Sequence, residues 1–255
     1  MASVIELAGR LSPISLESLN ESAALQTRID RKYVVDAEIA EALLVAAVNG
    51  QRSGHTAVLE VDSMRTIDYE TIYFDTDNFD LHRDAAHSRC GRFKVRTRRY
   101  STSDTAMLEI KTKSGRGETV KTRHQYPLGD RGRLTAGADL LIDDAVGRSG
   151  AAVGLRPVLA TTYQRITLHD RADQSRLTID SDVVATDWRG EKVGLAAVVL
   201  ESKSAGSASA FDRQLWLLGV RPVRFSKYCT SLAALHPHLP SNKWHRTLER
   251  HYVVS

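Results

Sequence analysis

The stretch FKVRTRRY, Phe93 to Tyr100, decides how this chain reads. An extended strand points alternate side chains to opposite faces, so Lys94, Arg96 and Arg98 share one face while Phe93 and Val95 share the other. LEIKTK, Leu108 to Lys113, repeats the division, with Glu109, Lys111 and Lys113 set against Leu108 and Ile110. After the turn residues Ser114 to Gly117, Lys121 and Arg123 continue the charged face. The alternation returns around Tyr163 and Arg165, Thr178 and Asp180, and Val199, Glu201 and Lys203. Such a sheet has an apolar face for helices to cover and a second face rich in cations, with a few carboxylates.

A one-sided, solvated sheet shows the same alternation. Like charges directly opposite one another destabilise neighbouring strands, however, and the Lys94/Arg96/Arg98, Lys111/Lys113 and Lys121/Arg123 clusters fall on consecutive strands. A bound polyanion would relieve that repulsion, so the repetition favours a ligand.

Working outward, period-two segments recur at Arg31 to Val35, Thr71 to Asp75, Arg92 to Tyr100, Met107 to Lys113, Glu118 to Tyr126, Thr161 to His169, Arg176 to Asp182 and Val198 to Lys203. Eight antiparallel strands can close into a barrel whose interior holds side chains or one small ligand. Helices are expected from Ser12-Pro13 through Leu16, Leu19 and Ala23, and from the Asp36 cap to a stop at Asn49-Gly50. Shorter ones are expected near residues 139–147, 209–218, 227–235 and 241–252. No linker or fixed repeat divides the chain. The reading is one α+β domain over residues 1–255, an antiparallel eight-stranded β-barrel with peripheral α-helices, having its core at about 28–232 and helical ends at 1–27 and 233–255.

Of the 255 residues 42% are hydrophobic and 26% charged, which excludes disordered and fibrous classes. The longest apolar run, Ala42 to Val48, is far short of a membrane span, and MASVIELAGR does not read as a secretory signal. With only Cys90 and Cys229, a reduced, cytoplasmic chain is expected. Net charge is +4, but residues 89–133 hold 13 Lys or Arg against 4 Asp or Glu, a local balance of +9, which leaves −5 elsewhere. One cationic segment predicts an anionic ligand.

Several chemistries fall away. Gly115 to Thr122 approaches a phosphate-cradling G-x-x-x-x-G-K-T loop, but Val120 stands at the second glycine and the context is a hairpin. His87 and Cys90 have no second ligand pair for zinc, and neither G-x-S-x-G nor H-E-x-x-H occurs. Single-strand binders interleave aromatics for base stacking, so nucleic acid is not expected as the preferred ligand. Phosphate recognition without base recognition fits better.

RIDRKYVV (Arg28 to Val35), YETIYFDTD (Tyr69 to Asp77), FKVRTRRY, LEIKTKSGRGETVKTR (Leu108 to Arg123), TTYQRITL (Thr161 to Leu168), RLTID (Arg176 to Asp180), VVLESKS (Val198 to Ser204) and RFSKY (Arg224 to Tyr228) follow one another in order. In this order they resemble the catalytic domain of the vacuolar transporter chaperone (VTC) polyphosphate polymerases, members of the triphosphate tunnel metalloenzymes, over about residues 28–232. The resemblance implies a barrel enclosing a basic tunnel, ATP and polyphosphate as partners, Mn²⁺ or Mg²⁺ as cofactor, and transfer of the γ-phosphoryl group of ATP to a growing chain. By the same resemblance Lys32, Arg96, Arg98, Lys111, Arg165, Arg176 and Lys227 hold the triphosphate or the chain, all but Lys32 as catalytic residues, and Glu201 is the metal carboxylate. Strand parity adds Lys94, Lys113, Lys121, Arg123 and Lys203 to the binding set. Asp180 and Glu109 are further metal candidates, each with a structural ion pair as its alternative. The wider superfamily often begins with E-x-E-x-K, whereas Arg28-Ile29-Asp30-Arg31-Lys32 stands here, which weakens a metal–water hydrolase. The rival readings are a metal-dependent triphosphatase and a noncatalytic binder of polyphosphate or RNA. No protein partner is specified.

Overall fold

The computed structural model describes residues 2–21, 28–49, 54–101, 104–113 and 119–252. In chain order the helices are α1 (Ala2–Gly9), α2 (Leu16–Glu21), α3 (Ala37–Asn49), α4 (Asp80–Ala86), α5 (Ala136–Val146), α6 (Ala210–Leu217), α7 (Lys227–Leu235) and α8 (His245–His251). The strands are β1 (Ser12–Ile14), β2 (Arg28–Val35), β3 (Thr56–Leu59), β4 (Ile67–Asp75), β5 (Phe93–Tyr100), β6 (Thr105–Lys113), β7 (Thr119–Tyr126), β8 (Arg156–Asp170), β9 (Ser175–Asp187), β10 (Lys192–Gly194) and β11 (Val198–Ala205). The fold class is α+β, built on an antiparallel sheet whose main path has eight strands. The chain divides into two compact units: Met1–Asp68, Tyr163–Val183 and Leu195–Phe225 form the first, and Tyr69–Thr162, Val184–Gly194 and Ser226–Ser255 the second.

In the first unit the strand order is β2-β11-β9-β8, with β3 paired to β8 and the short β1 running parallel to β3. Tyr33 and Val35 of β2, Val198 and Leu200 of β11, Leu177 and Ile179 of β9, and Ile166 and Leu168 of β8 form one apolar face. It is covered by Val4 and Ala8 of α1, Ala40, Leu43 and Leu44 of α3, and Phe211 and Leu215 of α6. Burial of that face assigns every intervening residue to the opposite one. Ser209 starts α6 with a capping box shared with Asp212.

In the second unit the order is β8-β4-β5-β6-β7, and β10 pairs with the end of β9. Phe93, Val95, Leu108 and Ile110 are buried with Phe74, Ala138 and Ile142, so the apolar face anticipated from FKVRTRRY lies under α5. That helix starts at Thr135, whose side chain accepts from the Ala138 amide, and stops at Gly147 in the left-handed region.

Two local expectations change. Ser12-Pro13 belongs to β1, and α2 starts after Ser15, whose hydroxyl accepts from the Ser18 amide. Proline is tolerated there because, among the described residues, β1 pairs on one side only, with β3. The helix expected over 241–252 is a 3₁₀ turn at Asn242–Trp244 followed by α8. Ala23, Gly50 and the Ser114 to Gly117 turn lie outside the described residues. The flanking strands β6 and β7 nonetheless pair antiparallel from Lys113 with Thr119 onward, the hairpin context that argued against a phosphate loop.

Candidate phosphate-binding site

Register aligns the cations of the second unit in rows. Lys94 of β5 lies opposite Lys111 of β6, which lies opposite Lys121 of β7. The next row runs Tyr73, Arg96, Glu109, Arg123 across β4 to β7. A third places Arg98 between Thr71 and Met107. The first of these rows is cationic on all three strands, an arrangement unfavourable without an anion above it.

Glu109 sits at the centre with its carboxylate 1% exposed. Its Oε2 is 2.6 Å from Arg96 and 3.8 Å from Arg98, and its Oε1 is 2.5 Å from Lys121 and 3.1 Å from Arg123. Burial alone would raise the Glu109 pKa, but Arg96, Arg98 and Lys121 hold it well below the usual carboxylate range. Burial and the nearby guanidinium groups draw the Lys121 ammonium below the ordinary lysine value, against the pull of Glu109.

Aromatic rings steady the arginines from the β4 side. The Arg96 guanidinium lies 5.9 Å from the Tyr73 ring and that of Arg98 5.4 Å from Tyr69, while Arg98 Nε donates to Thr71 Oγ1 at 3.3 Å. Tyr73 stacks on Tyr228 of α7 at 5.0 Å. Lys94 Nζ donates to Ser226 Oγ at 2.9 Å, and Ser226 caps α7 by accepting from the Cys229 amide. Lys227 is therefore held as the first residue of that helix, beside Lys94's own anchor.

Sequence reasoning missed this support layer, since Tyr73, Ser226 and Tyr228 meet only through tertiary packing. It also missed Asp75, which is wholly buried and accepts from the Tyr228 hydroxyl and the amides of Thr76, Leu81 and His82. Asp75 ties β4, α4 and α7 together.

The first unit carries a smaller charged face. Lys32 lies opposite Glu201, with Nζ 3.1 Å from Oε1, and Lys203 approaches the same oxygen at 3.4 Å and Asp30 at 3.9 Å. Arg165 grips Asp180 through two bonds of 2.5 and 2.7 Å, and its guanidinium lies over Tyr163. Arg176 sits opposite Lys203 and donates to the Leu19 carbonyl at 3.3 Å. In the second unit Lys113 ends the charged face of β6, opposite Thr119. In the first unit acids nearly match bases, whereas on the charged face of β5 to β7 in the second unit one carboxylate stands among seven cations.

A divalent ion needs carboxylate oxygens open to it. Among the described residues no three His, Cys, Asp or Glu side chains group as a metal site. Asp180 has both oxygens on Arg165, and Glu109 has both on cations, so neither fits as a metal ligand and the ion-pair alternative holds for both. Glu201 is more exposed than Glu109 or Asp180, and Lys32 and Lys203 both approach its Oε1, so it fits as a single carboxylate ligand with phosphate oxygens supplying the rest.

The chain belongs to the VTC domain family, whose model matches residues 27–236. No curated protein sequence matches it. Among solved structures it is similar to the putative adenylyl cyclase HpAC1 from Hippeastrum, described as having a dominant triphosphatase activity, at 14% identity and a TM-score of 0.50 over 81% of this chain and 96% of that one. A putative adenylate cyclase from Vibrio parahaemolyticus aligns at 11% identity and a TM-score of 0.44, over 79% and 95% of the two chains. The PH1819 protein from Pyrococcus horikoshii OT3 gives 15% and 0.43, over 81% and 97%.

Proposed function

We propose that this protein is a polyphosphate polymerase that transfers the γ-phosphoryl group of ATP to the end of a growing polyphosphate chain. The observation that carries the reading is the row Lys94, Lys111, Lys121, set beside Arg96, Arg98 and Arg123, which share with Lys121 the single carboxylate of Glu109. That is more positive charge than one triphosphate requires, and a polymeric anion supplies the balance. A terminal oxygen of the chain attacks the γ-phosphorus, the bond to the β–γ bridging oxygen breaks, and ADP leaves with that oxygen.

Such a transfer asks the protein for alignment and charge stabilisation more than covalent chemistry. Arg96, Arg98, Arg165 and Arg176 suit it because a guanidinium is planar, permanently charged and able to make two parallel bonds to phosphate oxygens. Lys32, Lys94, Lys111, Lys113, Lys121, Arg123, Lys203 and Lys227 add positive charge for the bound phosphates. When bound, Mn²⁺ or Mg²⁺ held by Glu201 would neutralise phosphate charge.

The test is incubation of the protein with ATP, Mn²⁺ and a short polyphosphate primer, resolving chains from free phosphate. ADP with chains of many phosphates is expected, and Glu201→Gln should abolish turnover while still binding tripolyphosphate. ADP with equimolar free phosphate and no polymer, under every primer and metal, assigns a triphosphatase instead. Binding without ADP release assigns a noncatalytic binder.

A further inference from the structure

Glu109 fails as a metal ligand because of what surrounds it, and the same surroundings suit a different task. Its carboxylate lies at the middle of β6, shut from solvent, with Arg96 and Arg98 of β5 on one oxygen and Lys121 and Arg123 of β7 on the other. Four like charges brought this close repel one another. Without a central anion, Lys121 and Arg123, on the side away from β4, would swing toward solvent. Arg96 and Arg98 could not follow, since Tyr73, Tyr69 and Thr71 hold them from the β4 side.

We infer that Glu109 is a positioning residue, a built-in counter-ion that sets Arg96, Arg98, Lys121 and Arg123 at one level of the charged face and moderates their grip on a phosphate chain. The inference rests on the reading of that face as a phosphate site, and not on whether the acceptor is a chain or water. A polymer that lengthens must advance after each transfer, and four unopposed cations would bind it too tightly to let it move. Glu109 offsets part of that positive charge while fixing where the cations lie. Its neutralisation therefore acts in opposite directions: polyanion binding tightens, because repulsion by the carboxylate is gone, and turnover falls, because the guanidinium groups lose their alignment. Loss of a metal ligand would instead raise the metal requirement, and general loosening of the sheet would weaken binding and turnover together.

The experiment compares the whole chain with Glu109→Gln and Glu109→Asp by titration calorimetry with tripolyphosphate at low salt, by ATP turnover, and by the Mn²⁺ concentration that half-saturates turnover. Glu109→Gln should bind tripolyphosphate about five-fold or more tightly, lose about ten-fold or more in turnover, and keep its Mn²⁺ requirement within about two-fold. Glu109→Asp keeps the charge on a shorter arm, so it should bind tripolyphosphate within about three-fold of the unaltered protein and turn over faster than Glu109→Gln. Weaker tripolyphosphate binding by Glu109→Gln, or a Mn²⁺ requirement raised about ten-fold, overturns the inference. If Glu109→Gln does not fold, the Asp variant decides, and a loss of affinity beyond about ten-fold overturns it. An unaltered protein that binds tripolyphosphate yet releases only free phosphate defeats the polymerase reading alone, since the binding comparison still decides the role of Glu109.

Discussion

A single arginine shows how much of the site hangs on side-chain support. Arg96 bonds Glu109 through both Nε and Nη2 at 2.6 Å and rests on Tyr73, so its guanidinium is already placed for the proposed phosphate contact. Arg96→Ala should weaken tripolyphosphate binding by about 1.5 to 3 kcal/mol, the worth of one charge-assisted contact, measured by titration calorimetry. Unchanged affinity would remove Arg96 from the binding set. Its place on the charged face could be read from FKVRTRRY, because burying Phe93 and Val95 forces Lys94, Arg96 and Arg98 the other way. Which carboxylate it would meet could not be read, since Glu109 becomes its neighbour only through the register of β5 with β6.

At the scale of elements, α4 and α7 join the β4 end of the charged sheet through a buried polar knot. His82 of α4 is wholly buried, with Nε2 3.1 Å from the Pro240 carbonyl and its ring beside those of Tyr228 and Trp244. Burial pushes its pKa down to about 4, against the Pro240 hydrogen bond and the Asp75 carboxylate, with Lys94 and Arg83 adding to the fall. A folded pKa depressed below the unfolded 6.5 means that the unfolded chain binds more protons between about pH 4 and 6.5. Stability is therefore full above that window and declines as pH drops through it, by about 2 kcal/mol at pH 5 from this group alone. Urea unfolding of the protein and of His82→Gln between pH 7 and 5 checks this: the variant should show a shallower decline. Equal slopes would mean that His82 is not the group responsible. Neither α4 nor the role of Asp75 was legible in the sequence. Seven residues rich in charge lack the apolar stripe that announces a helix, and YETIYFDTD reads as a site motif although its Asp75 works as a hydrogen-bond hub.

Over the whole molecule, the concentration of positive charge in residues 89–133, read as the proposed polyphosphate site, predicts that binding depends on the length of the anion. Polyphosphate should bind more tightly as chains lengthen beyond three phosphates, and added salt should weaken long chains more than short ones, because more exposed contacts are screened. Calorimetry across chain lengths at two salt concentrations tests this. Affinity that levels off at three phosphates would favour a triphosphate substrate over a polymer.

The sequence by itself determined the antiparallel α+β class, the strands β2, β4 to β9 and β11, and the division of β5 and β6 into an apolar face and a charged one. Period-two burial is a local rule, since a strand with one dry face has no freedom over its alternate side chains. Tertiary structure alone decided that Asp180 serves Arg165, that Glu109 serves four cations, and that Ser226 and Tyr228 brace Lys94 and Tyr73. Those choices depend on strand register and helix docking between residues far apart in the chain. Alternation says which way a side chain points, and only packing says what it meets.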